Sequence, residues 1–284
     1  MATSTPGAPA STGSPTAPGS SLREGLELAG RQYDYWATVY KRTWKGSVVS
    51  SFLVPLLYLA AMGIGLGTFI DSDVAVQALG AAPSYLAFIA PGLLAATAMQ
   101  TAIFESAYPV LGNFKWTKVY LSMVATPLSV TSVLIAHVAY VVFRIASTSA
   151  VFVAVIALFG LVDSVPAAVG ALVVATVVGL AHATPVFAYS ATIRDESSFA
   201  LLFRLGLIPM FLFSGAFFPV EQLPGQLEWF SYVTPLWHGV EATRMLVLGS
   251  IAPGWMALHL TYLLALLVLG WWLAQRAFRR RLSD

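Results

Sequence analysis

The chain has 284 residues, of which 58% are hydrophobic and only 10% charged, whereas a soluble domain carries about 25% charged residues. With a mean hydropathy of +0.77, this composition excludes an ordinary soluble globular fold and predicts an integral membrane protein. A net charge of +2 is too small to recruit nucleic acid, and the absence of cysteine excludes disulfides and thiolate metal sites.

Residues 2 to 20 are almost wholly Ala, Ser, Thr, Pro and Gly, a composition that buries too little surface to fold, so residues 1–21 read as a disordered tail. Residues 22–46 read as an amphipathic helix lying in the cytoplasmic membrane interface. Tyr33, Trp36 and Tyr40 recur on one side at helical spacing, with Arg31, Asp34, Lys41 and Arg42 on other faces. A surface anchor and a docking element for a partner both suit that pattern.

Spans are predicted at about 48–69, 84–104, 138–160, 167–190, 199–218 and 254–275, each long enough for a hydrocarbon core of about 30 Å. Pro91-Gly92 and Pro209 predict kinks in the second and fifth. Between the second and third, Glu105, Lys115 and Lys118 end the apolar character and Gly112-Asn113 supplies a turn. Placing the third span at Val138 puts Arg144 near its cytoplasmic end, where the side chain snorkels; a cavity-facing Arg144 is the alternative. His182 in the fourth span reads as satisfied by a neighbouring helix.

Residues 211–249 are too polar to span and too apolar for an ordinary loop. Pro219, Pro224, Gly225, Pro235 and Gly239 break the stretch into short pieces. The expectation is two short re-entrant helices at the extracellular face. Six spans with both termini cytoplasmic place every Lys and Arg except Arg244 on or near the cytoplasmic side. Asp71, Asp73, Asp163, Glu221, Glu228 and Glu241 then fall outside, and Glu241, three residues before Arg244 on a helix, is its expected partner. The spans form a domain over 47–276, and 277–284 is a basic cytoplasmic tail.

No HExxH, GxSxG or GxxxxGK[ST] motif is present, and His137, His182, His238 and His259 stand on different segments. Catalysis by this chain alone, a bound cofactor and a metal site are therefore not expected. Internal repeats and intramembrane acidic residues, the marks of an ion-coupled transporter, are not read either, because every Asp and Glu falls at a boundary or in a loop.

The run SGAFFPVEQLP followed by TPLWHGVEATR resembles the C-terminal signature of ABC-2 type permeases, most closely the nodulation-protein-J-like branch of lipo-oligosaccharide exporters, over about residues 30 to 276. The resemblance implies an all-α integral membrane fold of type V exporter architecture in the bacterial plasma membrane. It also implies a separate ABC ATPase subunit that binds ATP and Mg, and a second permease chain, identical or paralogous. The residues matching the family's coupling helix run from Asn113 to Ala125 and include Lys115, Trp116, Lys118 and Tyr120; an interfacial hairpin without a partner is the plainer reading. By the same likeness, an amphipathic substrate, such as a lipid-linked saccharide, a glycolipid or a hydrophobic drug, would pass between two chains along spans one, two and five. Phe211, Phe213, Phe217, Phe218, Trp229 and Trp237 would line the pathway or its exit, although each also suits plain anchoring in the headgroup belt. A membrane-embedded enzyme or structural membrane protein with a lipid-binding re-entrant segment is the competing reading.

Overall fold

A computed structural model describes residues 37, 38, 40, 41, 53, 55–67, 79–126 and 128–283. The tail at 1–21, most of the interface helix with Arg31, Tyr33 and Trp36, both ends of span one, and Asp71 and Asp73 lie outside the described residues. Among those described, the fold is helical without a strand. Four helices are long and apolar enough to cross a membrane: Tyr85–Lys115, Val130–Leu158, Val165–Thr192 and Pro253–Ser283.

The first of these divides at Ala107 into α1, Tyr85–Ser106, and α2, Tyr108–Lys115. A sharp turn leads to α3, Val119–Val124. Then come α4, Val130–Leu158, and α5, Val165–Thr192. The pieces Phe199–Leu201, Leu202–Leu207 and Ile208–Leu212 run on as one helical segment, α6, whose middle is wound as a π-helix. Two short helices follow, α7, Gly225–Val233, and α8, Pro235–Val247, before α9, Pro253–Ser283.

Local chemistry fixes the helix starts. The Ser84, Ser129 and Ser164 hydroxyls accept hydrogen bonds from the N–H groups of Ala87, Ser132 and Ala167 and so begin α1, α4 and α5. Each satisfies an orphan donor that lipid cannot. Proline at the first positions of α5, α8 and α9 serves the same ends, since its missing N–H lies where no intrahelical partner exists. At its far end α4 closes through Gly160, at φ 71°, with the N–H groups of Gly160 and Leu161 bonded to the carbonyls of Ala157 and Ile156.

Two expectations need correction. The third span is one 29-residue helix from Val130, not a span beginning near Val138, because the Ser129 cap and an unbroken apolar run give no reason to start later. Arg144 is consequently about 21 Å along the helix from its first residue, rather than beside its end. The fifth span was expected to reach residue 218, but helix ends at Leu212; Pro209, the π-wound Leu202–Leu207 and Gly215 at φ 75° interrupt it. Fourteen residues rise only about 21 Å, short of a hydrocarbon core of about 30 Å. Pro91, in contrast, sits inside an unbroken helix.

Helix α1 is the axis of the bundle and is largely buried, touching α4, α5 and α8, while α9 lies outermost against α5. Close approach there depends on glycine. A Cβ on Gly92 would stand 2.7 Å from the Cα of Ala216, and one on Gly239 would stand 2.6 Å from Val178 Cγ2. We expect Gly92→Val to lower the thermal unfolding midpoint in detergent by an amount equivalent to about 1–3 kcal/mol of overpacking. Gly254→Ala, with nothing within 4 Å of the added carbon, serves as the neutral control.

Candidate functional site

Chemistry gathers at the two ends of the bundle. The basic end carries Lys115, Lys118, Arg194 and the arginines of α9; the opposite, acidic end carries Asp163, Glu221, Glu228 and Glu241.

At the basic end α2 and α3 form a hairpin. The N–H groups of Trp116 and Thr117 both bond to the Gly112 carbonyl, and Lys118, at φ 52°, is the described non-glycine residue in the left-handed region. That turn projects a knuckle of Lys115, Trp116, Thr117 and Lys118, all exposed, with Trp116 56% exposed. Lys115 donates to Glu196 at 3.0 Å and Asp195 at 3.5 Å across the neighbouring turn. A hydrogen bond from its own backbone N–H, and then Lys115, hold the Glu196 carboxyl below its usual range. The contact is therefore complete at neutral pH and lost only as pH falls through that lowered value.

Directly beneath the knuckle, Tyr120 is fully buried and its hydroxyl pairs with His137 Nδ1 of α4. The Tyr120 ring packs against Phe114 at 4.7 Å and Phe278 of α9 at 5.3 Å, and His137 meets Phe187 of α5 edge-on at 5.0 Å. One aromatic cluster thus joins the hairpin to α4, α5 and α9.

At the acidic end, the Arg244 guanidinium binds Glu241 through Nη1 and donates through Nη2 to the Gly215 carbonyl at 2.7 Å, while lying 4.1 Å from the centre of the Phe88 ring. Tyr85 of α1 donates to the Phe217 carbonyl at 3.1 Å. Arg244 therefore ties α8 to α1 and to the Ser214-Gly215-Ala216 step. Nearby, His238 of α8 and His259 of α9 share a 2.8 Å Nδ1–Nδ1 hydrogen bond, one donating to the other, and His238 stacks on Tyr262 at 4.0 Å. Trp237 meets Tyr232 and His259 edge-on. Burial, then the bond to Glu228 and the neighbouring carboxylates, push the Tyr232 hydroxyl up to about 12, so it stays neutral and donates to Glu228. Two concavities of about 540 and 590 Å³ flank this group and share Glu221, Glu241 and Met245.

Residues 35–248 match the ABC-2 type transporter family. The chain belongs to that family. Among its relatives are Nodulation protein J of Rhizobium meliloti (strain 1021), 28% identical over 254 residues, and Nodulation protein J of Rhizobium leguminosarum bv. trifolii, 30% identical over 254 residues. Each alignment covers 87% of this chain and 94% of the relative. The ABC-2 protein is thus the membrane subunit type of an ABC transporter, and its relatives are bacterial.

Several residues singled out from the permease sequence now have definite places. Lys115, Trp116 and Lys118 are at the surface together, but Tyr120 is corrected from docking surface to core, because its ring fills the space between α4 and α9. Tyr40 reaches the bundle, edge-on to Phe143 at 5.0 Å. Glu241 and Arg244 are paired. The six pathway aromatics do not form one lining: Phe211 packs on Phe217 at 5.0 Å, Trp237 joins the histidine cluster, Trp229 is 69% exposed, and Phe213 and Phe218 are half-buried separately.

Two pairings were missed. His238 and His259 come from different helices, and no group of three potential metal ligands exists among the described residues. Arg144 donates to Glu105 at 2.8 Å, with side chains only 13% and 22% exposed, and its guanidinium lies 5.3 Å from the Tyr40 ring centre. Glu105, one residue before the end of α1, is thus half-buried against the bundle, and its carboxylate gives Arg144 a partner as well as an exit. Removing one member of such a pair strands the other. Arg144→Met alone should lower stability in detergent by roughly 1–3 kcal/mol. The double variant Arg144→Met/Glu105→Leu should recover part of that loss, and a purely additive double-mutant cycle would exclude the coupling.

Proposed function

We propose that this permease is one of two chains of an ATP-driven bacterial exporter in the plasma membrane, with both termini cytoplasmic and the basic end facing the ATPase. The observation that carries the reading is the α2–α3 hairpin: an exposed Lys115–Trp116–Thr117–Lys118 knuckle mounted on the Tyr120–His137–Phe278 cluster. A push on such a knuckle is delivered to α4, α5 and α9 together, because packed aromatic cores shift as units rather than deforming continuously. Tyr40, resting on Arg144 and Phe143, gives the N-terminal interface helix a second point of contact with α4.

The cargo we infer is amphipathic: a lipid-linked saccharide, a glycolipid or a hydrophobic drug. The relatives' name points to nodulation, and the acidic end offers aromatic and hydrogen-bonding groups around its two concavities, suited to a sugar or polar head. In this reading α7 and α8 re-enter the outer face and shape the exit, and α6 makes a crossing only together with the irregular backbone that follows Leu212, which with the first span brings the total to six. The exposed stripe Leu201, Leu205, Ile208 and Leu212 along α6 faces lipid or the second chain.

The test is purification of the tagged chain from its native membrane. An ATPase subunit should come with it, and changing Lys115, Trp116 and Lys118 to Ala should abolish that association. Trp229→Ala, which removes a ring that is 69% exposed on α7 at the opposite end of the bundle, should retain it. A well-folded chain that brings no ATPase would remove the energy source and overturn the reading in favour of an embedded enzyme or structural protein.

A further inference from the structure

Near the basic end, α5 and α9 touch and then part. A Cβ on Gly270 would lie 2.5 Å from Thr184 Oγ1, and Thr184 donates to the Leu267 carbonyl at 3.2 Å. Toward their C-termini the helices leave a cleft of about 570 Å³ whose lining includes Arg194, Arg276, Arg280 and Arg281. No described carboxylate lines it. The two acidic neighbours of Arg194, Asp195 and Glu196, are turned onto Lys115 instead.

Arg281 is fixed in place. Its Nη1 donates to the carbonyls of Ser190, Ala191 and Ile193 at 2.8–3.1 Å, at the C-terminal end of α5 where the helix dipole favours a cation. Arg194, Arg276 and Arg280 are the more accessible members. Away from the arginines the wall is mostly apolar, formed by Pro185, Ala188, Ala191, Leu273 and Ala277 with Tyr189 and Thr192. From Arg280 to Leu273 the axis rises about 10 Å, so the cleft grades from cationic to apolar over the depth separating a headgroup from its acyl chains. Trp272 marks that depth. Tryptophan collects at the headgroup level of a bilayer, and Arg276 lies one turn beyond, 5.7 Å from the Trp272 ring centre.

We propose that this cleft binds an anionic glycerophospholipid, its phosphate held by Arg194, Arg276 and Arg280 beside the anchored Arg281, and one acyl chain against Leu273 and Ala277. Guanidinium forks match phosphate oxygens two at a time, and basic pockets between transmembrane helices recognise anionic headgroups. The site is separate from the α2–α3 hairpin and from the acidic-end concavities, so it holds whatever the cargo. A lipid bound there bridges α5 and α9 below their contact at Gly270.

The purified chain, reconstituted in nanodiscs of phosphatidylcholine with increasing phosphatidylglycerol, is released into native mass spectrometry and its retained lipids counted. Saturable retention of phosphatidylglycerol over phosphatidylcholine is expected. Arg276→Gln and Arg280→Gln should each weaken it about fivefold, the effect of about 1 kcal/mol per basic residue near an anionic surface. Arg279→Gln, whose guanidinium turns to Thr131 at 3.4 Å on α4, should change it less than twofold at the same cost in net charge. Equal loss in all three variants would reduce the site to diffuse charge and overturn the proposal. So would displacement of the lipid by millimolar inorganic phosphate, which would make the ligand a soluble anion. Loss of ATPase association in Arg276→Gln and Arg280→Gln with lipid retention intact would also overturn it, assigning the cleft to a protein partner.

Discussion

The contact on which the basic end depends is the buried hydrogen bond between Tyr120 and His137. A hydroxyl and an imidazole in a lipid-surrounded core lack water as an alternative partner, so separating them exposes two polar groups to a low dielectric. The six-residue helix α3 could not hold its place by propensity alone, since isolated helices of that length are unstable. Tyr120 fixes it, and the rings of Phe114, Phe187 and Phe278 close around the bond. The left-handed Lys118 and the exposed Trp116 are tolerable because the residues on either side of them, Phe114 and Tyr120, are anchored in this way. A surface feature of four residues is thus rigid on account of what lies directly beneath it.

The same constraint governs the charges within the bundle. Arg144 and Arg244 are each largely covered, and each is met by a carboxylate and an aromatic face: Glu105 and Tyr40 for the first, Glu241 and Phe88 for the second. Coulomb attraction, hydrogen bonding and cation–π contact together offset desolvation that no single one would. Arg244 adds the Gly215 carbonyl, left without a helical partner where α6 ends. A helix too short to cross the hydrocarbon core therefore has one of its exposed backbone groups satisfied by a side chain from α8, which is how irregular backbone survives at membrane depth.

Local patterns disclosed much of this architecture. Apolar run length located the helices of spans two, three, four and six, and proline spacing located the short helices α7 and α8. The i,i+3 interval related Glu241 to Arg244. Contacts between distant segments were not legible. Arg144 and Glu105 are 39 residues apart, and no local spacing rule links them; the long apolar run, with the third span set at Val138, puts Arg144 near a helix end. Tyr120 falls within the stretch that resembles a coupling helix, and its helical phase with Val124, four residues on and packed on the core, is the signal for its burial. His238 and His259 meet because α8 folds back on α9, and no spacing rule connects a short helix to the next span.

The two ends of the bundle also differ in how their cations are used. At the acidic end Arg244 is held by Glu241, the Gly215 carbonyl and the Phe88 ring, and it lines the larger concavity beside Glu221 and Glu241. At the basic end Lys115 takes up the local carboxylates, Asp195 and Glu196, and this leaves the arginines of the α5–α9 cleft in excess. One lysine on the knuckle thereby holds both carboxylates that neighbour Arg194 in sequence, and neither of them lines the cleft.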